Sequence, residues 1–106
     1  MNYFIIILST ISSKKEALEI AEELIQNKLA ACINIIEGLT SVYKWEDKLC
    51  KENEYLMIIK SRKILYEKIT EKINLLHPYE VPEIISIPIT DGLDSYLKWI
   101  KNNTRI

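Results

Sequence analysis

The sequence predicts an α+β fold of the ferredoxin-like, split βαβ plan, in which two helices cover one face of a four-stranded antiparallel sheet. Segments with strand and helix patterns follow one another in the order β-α-β-β-α-β-α, and the last helix is an addition to that plan. The 106 residues include only two glycines and three prolines, with no linker-like run and no internal repeat. The chain is therefore expected to form one domain spanning residues 1–106.

The chain begins with a strand and a helix. Residues 3–9 are apolar on both faces, which is typical of a central strand. Ser13 and Glu16 match a capping box, in which each side chain binds the backbone N–H of the other residue. This pattern predicts a helix that starts after Ser13 and ends near Lys28.

A strand, a loop and a return strand are expected next. Ala31–Trp45 is rich in β-branched residues and predicts one long strand, bent at Gly38, where a bulge is expected. The polar stretch 46–52 (EDKLCKE) predicts a hairpin loop, and residues 53–61 (NEYLMIIKS) predict the strand that follows it.

The second helix has a start signal and a stop signal. Ser61 is the expected cap, and Pro78 ends the helix because its ring pushes His77 out of the helical region. An apolar stripe at helical spacing predicts the buried face, which consists of Leu65, Ile69, Ile73 and Leu76.

The C-terminal part predicts a strand and a short helix. The strand is expected to start at Pro82 and to have an unpaired edge near Pro88, because proline has no backbone N–H. Asp91 or Asp94 is the expected helix cap. The predicted apolar face of this helix consists of Leu93, Tyr96, Leu97 and Ile100. Two helices cover one face of the sheet, so an oligomer is expected to cover the other face.

Composition excludes several classes of function. The formal net charge of −1 argues against a nucleic-acid partner and against a polybasic membrane-surface protein. The apolar run at the start is too short to span a bilayer and lacks the flanks of a signal peptide. The cytoplasm is therefore the expected location, and Cys32 and Cys50 are expected to stay reduced there.

Five segments resemble, in order, the main motifs of the CutA family, the divalent-cation tolerance proteins. They are KLAACINII, TSVYKWEDKL, EYLMIIKS, LHPYEVPEII and YLKWI, and they extend over nearly the whole chain. The resemblance implies a ferredoxin-like fold and a tight homotrimer, with the long second and third strands reaching neighbouring subunits. Three positions depart from the family pattern. Asp47 stands where Gly is usual, and Ser61 stands where Thr is usual, which is a mild change. Ser9 replaces a Cys found in some members, which removes a soft metal ligand.

The segment HPYEVPE contains the only histidine, and His77 has two interpretations. One is a residue at the helix C-terminus, whose ring bonds the last carbonyls and whose charged form suits the dipole. The other is a metal or anion ligand. In a trimer, His77 of one subunit with Cys32 or Glu83 of another would supply imidazole, thiolate and carboxylate, which suit Cu²⁺ or Zn²⁺.

The other candidate residues also have structural alternatives. Cys32 is more typical of a small buried apolar residue than of a metal ligand. Glu83 also suits an acceptor of backbone N–H groups or a partner of Lys60. Glu80 is expected to be solvated. Lys60 with Arg62 suits a small anion, or a solvated or ion-paired role. Five aromatic residues are expected to line a pocket or, preferably, a subunit interface: Tyr43, Trp45, Tyr79, Tyr96 and Trp99.

The leading interpretation is a cytoplasmic homotrimer that binds a divalent metal, Cu or Zn, in metal tolerance or homeostasis, with no organic cofactor. It is not expected to be an enzyme, since one histidine at a helix end and no Gly-rich phosphate loop offer no credible catalytic site. A downstream protein partner is expected, which the sequence does not identify. One alternative is a small-molecule-binding signalling trimer, related in fold to the nitrogen-regulatory signal transducers, although the short hairpin differs from their long flexible loop. The other is a structural trimer without a ligand.

Overall fold

A computed structural model describes residues 3–106 as a four-stranded antiparallel sheet with three α-helices, which confirms the predicted α+β fold. The strands lie in the order β2-β3-β1-β4. The elements are β1 (Phe4–Ile11), α1 (Lys14–Gln26), β2 (Cys32–Trp45), β3 (Lys48–Arg62), a 3₁₀ turn (Lys63–Leu65), α2 (Tyr66–Leu76), β4 (Ile85–Pro88) and α3 (Asp94–Asn102). None of the helices in this part of the chain is long and apolar enough to cross a bilayer.

The core lies between one face of the sheet and the helices α1 and α2. As predicted, β1 is central, because it pairs with β3 on one side and with β4 on the other. Alternate residues of β1 and β3 meet the apolar stripes of both helices. The fully buried apolar residues on these four elements are Ile7, Ile11, Ala17, Ile20, Leu24, Met57, Ile59, Ile69 and Ile73. This burial is the main stabilising term of the fold.

The strands β2 and β3 form a long two-stranded ribbon, and its bend confirms the bulge predicted at Gly38. The register shifts between Ile36 and Leu39, and Gly38 has a φ of 81°. A Cβ built on Gly38 would meet no atom within 4 Å. The positive φ, rather than a lack of space, therefore requires glycine at this bulge.

The prediction of a seven-residue hairpin loop was wrong. Only Glu46 and Asp47 form the turn, with φ values of 50° and 65°, and Lys48 already pairs with Trp45. Positive φ at both central residues is the type I′ geometry, whose twist matches that of the strands. The ribbon is exposed on both faces near its tip, so polar side chains are compatible with strand structure there. These residues therefore lack the alternation of apolar and polar residues by which a strand is predicted.

The helix boundaries confirm some signals and correct others. Ser13 Oγ accepts a hydrogen bond from Glu16 N at 3.2 Å, which is one of the two bonds that the capping motif predicts. His77 is extended, with φ −78° and ψ 135°, which confirms that Pro78 ends α2. Ser61, however, does not cap α2: it belongs to β3, and its Oγ donates to Leu29 O at 2.6 Å.

The C-terminal elements differ more from prediction. The strand β4 starts at Ile85, not Pro82, because residues 82–84 do not pair with β1. Leu93 is the N-cap of α3 and makes no side-chain hydrogen bond as a cap. Asp94 is instead the first helical residue, where its charge suits the helix dipole. The predicted face of α3 is only partly buried in one chain, since Ile100 is 0% exposed and Leu93 is 74% exposed.

The second face of the sheet carries apolar side chains that one chain leaves uncovered. Ile36, Ile85 and Ile87 are each about half exposed, at 48%, 50% and 47%. Leu76, expected in the stripe of α2, is also 40% exposed. An uncovered apolar face of this kind is what the predicted oligomer requires, and the oligomer itself stays a prediction.

Two fully buried serines on adjacent strands give a matched test of hydrogen bonding. Ser9 Oγ has no hydrogen-bond partner in the described chain, whereas Ser61 Oγ bonds Leu29 O. We expect Ser9→Ala to leave the free energy of unfolding unchanged or to raise it by about 1 kcal/mol, and Ser61→Ala to lower it by about 1–2 kcal/mol. Urea unfolding at one fixed protein concentration measures both, and equal losses would contradict the difference in partners.

The turn gives a second prediction. Because Asp47 has φ 65°, Asp47→Gly is expected to be more stable than Asp47→Ala by about 1 kcal/mol, since a Cβ is disfavoured at positive φ. The same pair of substitutions at Asp91, which is outside the positive-φ residues of the described chain, is the control and should show no advantage for Gly. Equal urea-unfolding stability of Asp47→Ala and Asp47→Gly would contradict the strain.

Candidate functional site

A cleft of about 660 Å³ lies where the β2–β3 ribbon meets the segment that follows α2. Four of its lining side chains are glutamates, and no Lys or Arg lines it among residues 3–106. Its walls also include apolar and aromatic groups from both sides: Val42, Tyr43, Trp45, Tyr79 and Val81. The volume is within the range of small-molecule sites in proteins.

Strand geometry places two of the glutamates side by side. Glu52 and Glu54 are two residues apart on β3, so both side chains point to the same face. A tyrosine hydroxyl donates to each: Tyr43 to Glu52 Oε1 from the facing strand, and Tyr79 to Glu54 Oε2 at 2.6 Å. The cleft therefore contains two phenol–carboxylate pairs in a row.

The two phenol–carboxylate pairs differ in burial, and in both of them the pKa of the tyrosine is raised. Glu54 is only 5% exposed. Burial, followed by the hydrogen bond to Glu54, raises the pKa of Tyr79 to about 12. At Tyr43, in contact with solvent, the hydrogen bond to Glu52 is the main cause that raises the phenol pKa. Both phenols therefore stay protonated as donors at neutral pH.

His77 holds the segment that carries Tyr79. Its Nε2 donates to Thr10 O on β1 at 2.8 Å, and its Nδ1 accepts from Tyr79 N at 3.1 Å. These partners require the neutral tautomer with the proton on Nε2. The ring is buried and packs edge-on against the Tyr79 ring, with centroids 4.6 Å apart. His77 lies at the C-terminus of α2, as one interpretation predicted. The predicted hydrogen-bond partner was wrong, because the ring bonds Thr10 O of β1 and not the last carbonyls of α2.

The three predicted metal ligands lie in different environments. Glu83 is exposed and lines the cleft, while His77 is buried and bonded through both ring nitrogens. Cys32 is the first residue of β2 and pairs with Lys60 on β3. Thr10, the partner of His77, pairs with Leu56 on the same strand. Lys60 lies about 13 Å from Leu56 along β3, so Cys32 is far from His77 within one chain. Within residues 3–106 of one chain, no group of three His, Cys, Asp or Glu side chains is arranged to hold a metal ion. A ligand set shared between subunits stays a prediction.

The predicted pocket and interface residues separate into two groups. Tyr43, Trp45 and Tyr79 line the cleft. Lys60 lies elsewhere and donates to Asn34 Oδ1. Tyr96 and Trp99 stack on α3 with ring centroids 5.7 Å apart, and both are about 40% exposed, as residues of a subunit interface would be in one chain.

Glu52 and Glu54 are site residues that the sequence did not predict. Because the sequence predicts a loop over residues 46–52, the alternation of acidic and other residues in KENEY (51–55) does not lead to a strand prediction there. In this segment, the acidic residues Glu52 and Glu54 alternate with Lys51, Asn53 and Tyr55. A period of two is typical of a strand, here with one acidic face. Glu80, expected to be solvated, is exposed and lies at the cleft.

The Tyr79–Glu54 bond predicts a pH dependence of stability. Since the folded pKa of Tyr79, about 12, is above the ordinary value of 10.0, the folded state holds this proton more tightly than the unfolded state. The stabilisation is complete below pH 10 and is lost as the pH rises through 12. In Tyr79→Phe, the part of the near-ultraviolet phenolate titration near pH 12 should decrease, and the loss of stability over this range should be smaller. A titration unchanged by the substitution would contradict the pairing.

Comparison with known proteins gives consistent matches. Residues 5–103 match the family model described as CutA1 divalent ion tolerance protein. The chain is 46% identical over 101 residues to the chloroplastic protein CutA of Arabidopsis thaliana and 40% identical over 99 residues to the divalent-cation tolerance protein CutA of Thermus thermophilus. These alignments cover 95% and 93% of the chain. The chain spans 56% of the Arabidopsis protein and 96% of the Thermus protein.

Solved structures agree with these matches. The crystal structure of CutA1 from Oryza sativa superimposes with a TM-score of 0.94 at 41% identity, covering 99% of this chain and 98% of that one. The Thermus thermophilus divalent cation tolerance protein gives a TM-score of 0.93 at 39% identity, covering 96% and 99%. Sequence motifs, fold and family model all agree, and the chain therefore belongs to the CutA1 family of divalent ion tolerance proteins.

Proposed function

We propose that this protein binds divalent metal ions and acts in metal tolerance by binding rather than by catalysis. The observation that carries the proposal is the acidic cleft, in which four glutamates meet without a lysine or arginine in the described lining. The name of the Thermus relative, a divalent-cation tolerance protein, supports the same class of ligand.

The electrostatics of the cleft favour divalent cations. Carboxylates gathered in a concave site focus a negative potential, which raises the local concentration of cations. The attraction doubles for a divalent ion relative to a monovalent ion at the same distance. Glu83, exposed at the cleft, takes part in no ion pair within residues 3–106 and is available as a ligand.

The proposed ligand set joins Glu83 with His77 and Cys32 between subunits of a homotrimer. Carboxylate oxygen, imidazole and thiolate together suit Cu or Zn, and no organic cofactor is needed. To bind a metal, His77 has to release either Thr10 O or Tyr79 N, so metal binding at this ring is coupled to movement of the Tyr79 segment. A ligand that must first break such a bond binds more weakly by the cost of that bond.

The two cysteines support the proposed compartment. Cys32 and Cys50 are both free thiols, which is consistent with the reducing cytoplasm. The acidic cleft offers no surface for a nucleic-acid backbone, and a downstream protein partner remains part of the proposal.

The hairpin argues against the signalling alternative. Signal transducers of the nitrogen-regulatory type present a long flexible loop between the second and third strands, and here a two-residue turn joins them. The purely structural trimer is favoured by the uncovered isoleucines of the sheet and is separated from metal binding by the following experiment.

Calorimetric titration of the reduced protein with Cu²⁺ and with Zn²⁺ tests the proposal. We expect saturable binding with a whole number of ions per subunit or per trimer, weakened at least tenfold in Glu83→Gln and in His77→Ala. Glu71→Gln, which removes an exposed carboxylate outside the cleft, is the matched control and should bind as the wild type does. Sedimentation and thermal unfolding of His77→Ala in the absence of metal show whether its assembly and its fold are intact.

Three outcomes would contradict metal binding at this site. If neither metal binds with saturation, the structural alternative is favoured. If Glu83→Gln and His77→Ala both bind as the control does, the ions bind elsewhere. Stabilisation of the folded protein by a nucleotide and by neither metal would favour the signalling alternative.

A further inference from the structure

The cleft contains two phenol–carboxylate pairs, at Glu52 and Glu54, that are not among the proposed metal ligands. We propose that it is also a binding site for a linear organic diamine, with one ammonium group at Glu54, the other at Glu52, and the carbon chain along the apolar wall. This site is formed within one chain and is independent of the proposed ligand set between subunits.

Glu54 is the first reason for the proposal. Its side chain is 5% exposed, lines the cleft and forms no ion pair among residues 3–106. Its described side-chain partner is the neutral hydroxyl of Tyr79, which occupies Oε2. A hydroxyl does not compensate a carboxylate charge, and buried charges in proteins are normally paired with an opposite charge. A cationic ligand at the open side of Glu54 would supply the missing charge.

The spacing of the carboxylates selects the kind of cation. Two residues on one strand place Glu52 and Glu54 about 7 Å apart along β3, on the same face. Each has one carboxylate oxygen engaged by a tyrosine, which fixes the carboxylate and leaves the other oxygen as an acceptor. Ammonium groups separated by four or five methylene groups match this separation.

The walls of the cleft provide apolar surface that an organic ligand can contact and a bare ion cannot. Val42, Trp45 and Val81 provide apolar surface beside the glutamates, and the Trp45 indole can also contact an ammonium group through its ring face. A metal ion requires several ligands converging within bonding distance, and the described residues contain no group of three arranged in that way. A volume of about 660 Å³ leaves room for a short carbon chain.

The test uses the assembled full-length protein and fluorescence of Trp45. The chain has two tryptophans, so Trp99→Phe makes Trp45 the only tryptophan. Putrescine and cadaverine are titrated at constant ionic strength, beside butylamine, which has one ammonium group on a similar chain, and Mg²⁺, which has the same charge without the chain. We expect both diamines to change the Trp45 emission with saturation and to bind at least tenfold more tightly than butylamine or Mg²⁺.

Variants locate the site and separate this proposal from metal binding. Glu54→Gln should weaken diamine binding at least tenfold and change the affinity for Cu²⁺ or Zn²⁺ by much less, because it removes one charge of the cleft and none of the proposed metal ligands. Glu52→Gln, at a less buried position, is the second variant if Glu54→Gln fails to fold, and Glu71→Gln is the control.

Three results would overturn the diamine site. Equal affinity for putrescine, butylamine and Mg²⁺ would show general attraction of cations to an acidic surface. Diamine affinity unchanged in Glu54→Gln or Glu52→Gln would place the ligand elsewhere. Absence of saturable diamine binding to the assembled protein, with metal binding intact, would show that a neighbouring subunit or another group fills the cleft, and would leave the proposed function standing.

Discussion

The neutral imidazole of His77 is the interaction on which the geometry of the cleft depends. It joins the end of β1 to the segment after α2 by donating to Thr10 O and accepting from Tyr79 N. Both partners are backbone groups, so the ring fixes the path of the chain rather than a mobile side chain. Tyr79 is thereby placed over Glu54, and the acidic wall of β3 gains its second side. A buried donor and a buried acceptor are satisfied together, which makes this linkage expensive to break.

The sequence predicted the parts of the fold that follow from periodicity and from local stop signals. The stripe of α2 was correct at Leu65, Ile69 and Ile73 because a buried helix face requires that spacing. The cap at Ser13 and the stop at Pro78 were correct because each acts on backbone groups a few residues away. Ser61 was wrong as a cap because a contact with Leu29, distant in sequence, determines its role.

The candidate site was less predictable for the same physical reason. Tyr43, Trp45, Tyr79 and Glu83 were named from the sequence, and they line the cleft. Glu54 was not named, because its burial depends on a tyrosine 25 positions later, and nothing in the local sequence marks a strand residue as paired across that distance. The length of the exposed ribbon could not be predicted from the sequence, because strands without a buried face need no alternation of hydrophobic and polar residues. Contacts between residues distant in sequence, and not intrinsic strand propensity, determine the burial of Glu54 and the extent of the ribbon.

The two-residue turn also has a consequence for how the ribbon becomes ordered. Near its tip, Val42 and Leu49 are more than 60% exposed, and the molecule is elongated, with extents of 45 × 25 × 23 Å. A two-stranded ribbon with little buried surface is at best marginally stable in water. In the proposed trimer, docking on a neighbour and ordering of the ribbon would therefore be a single thermodynamic event. Protein concentration would then control amide protection in the ribbon, while the β1–β3 pairs at the core would exchange as a separate, slower unit.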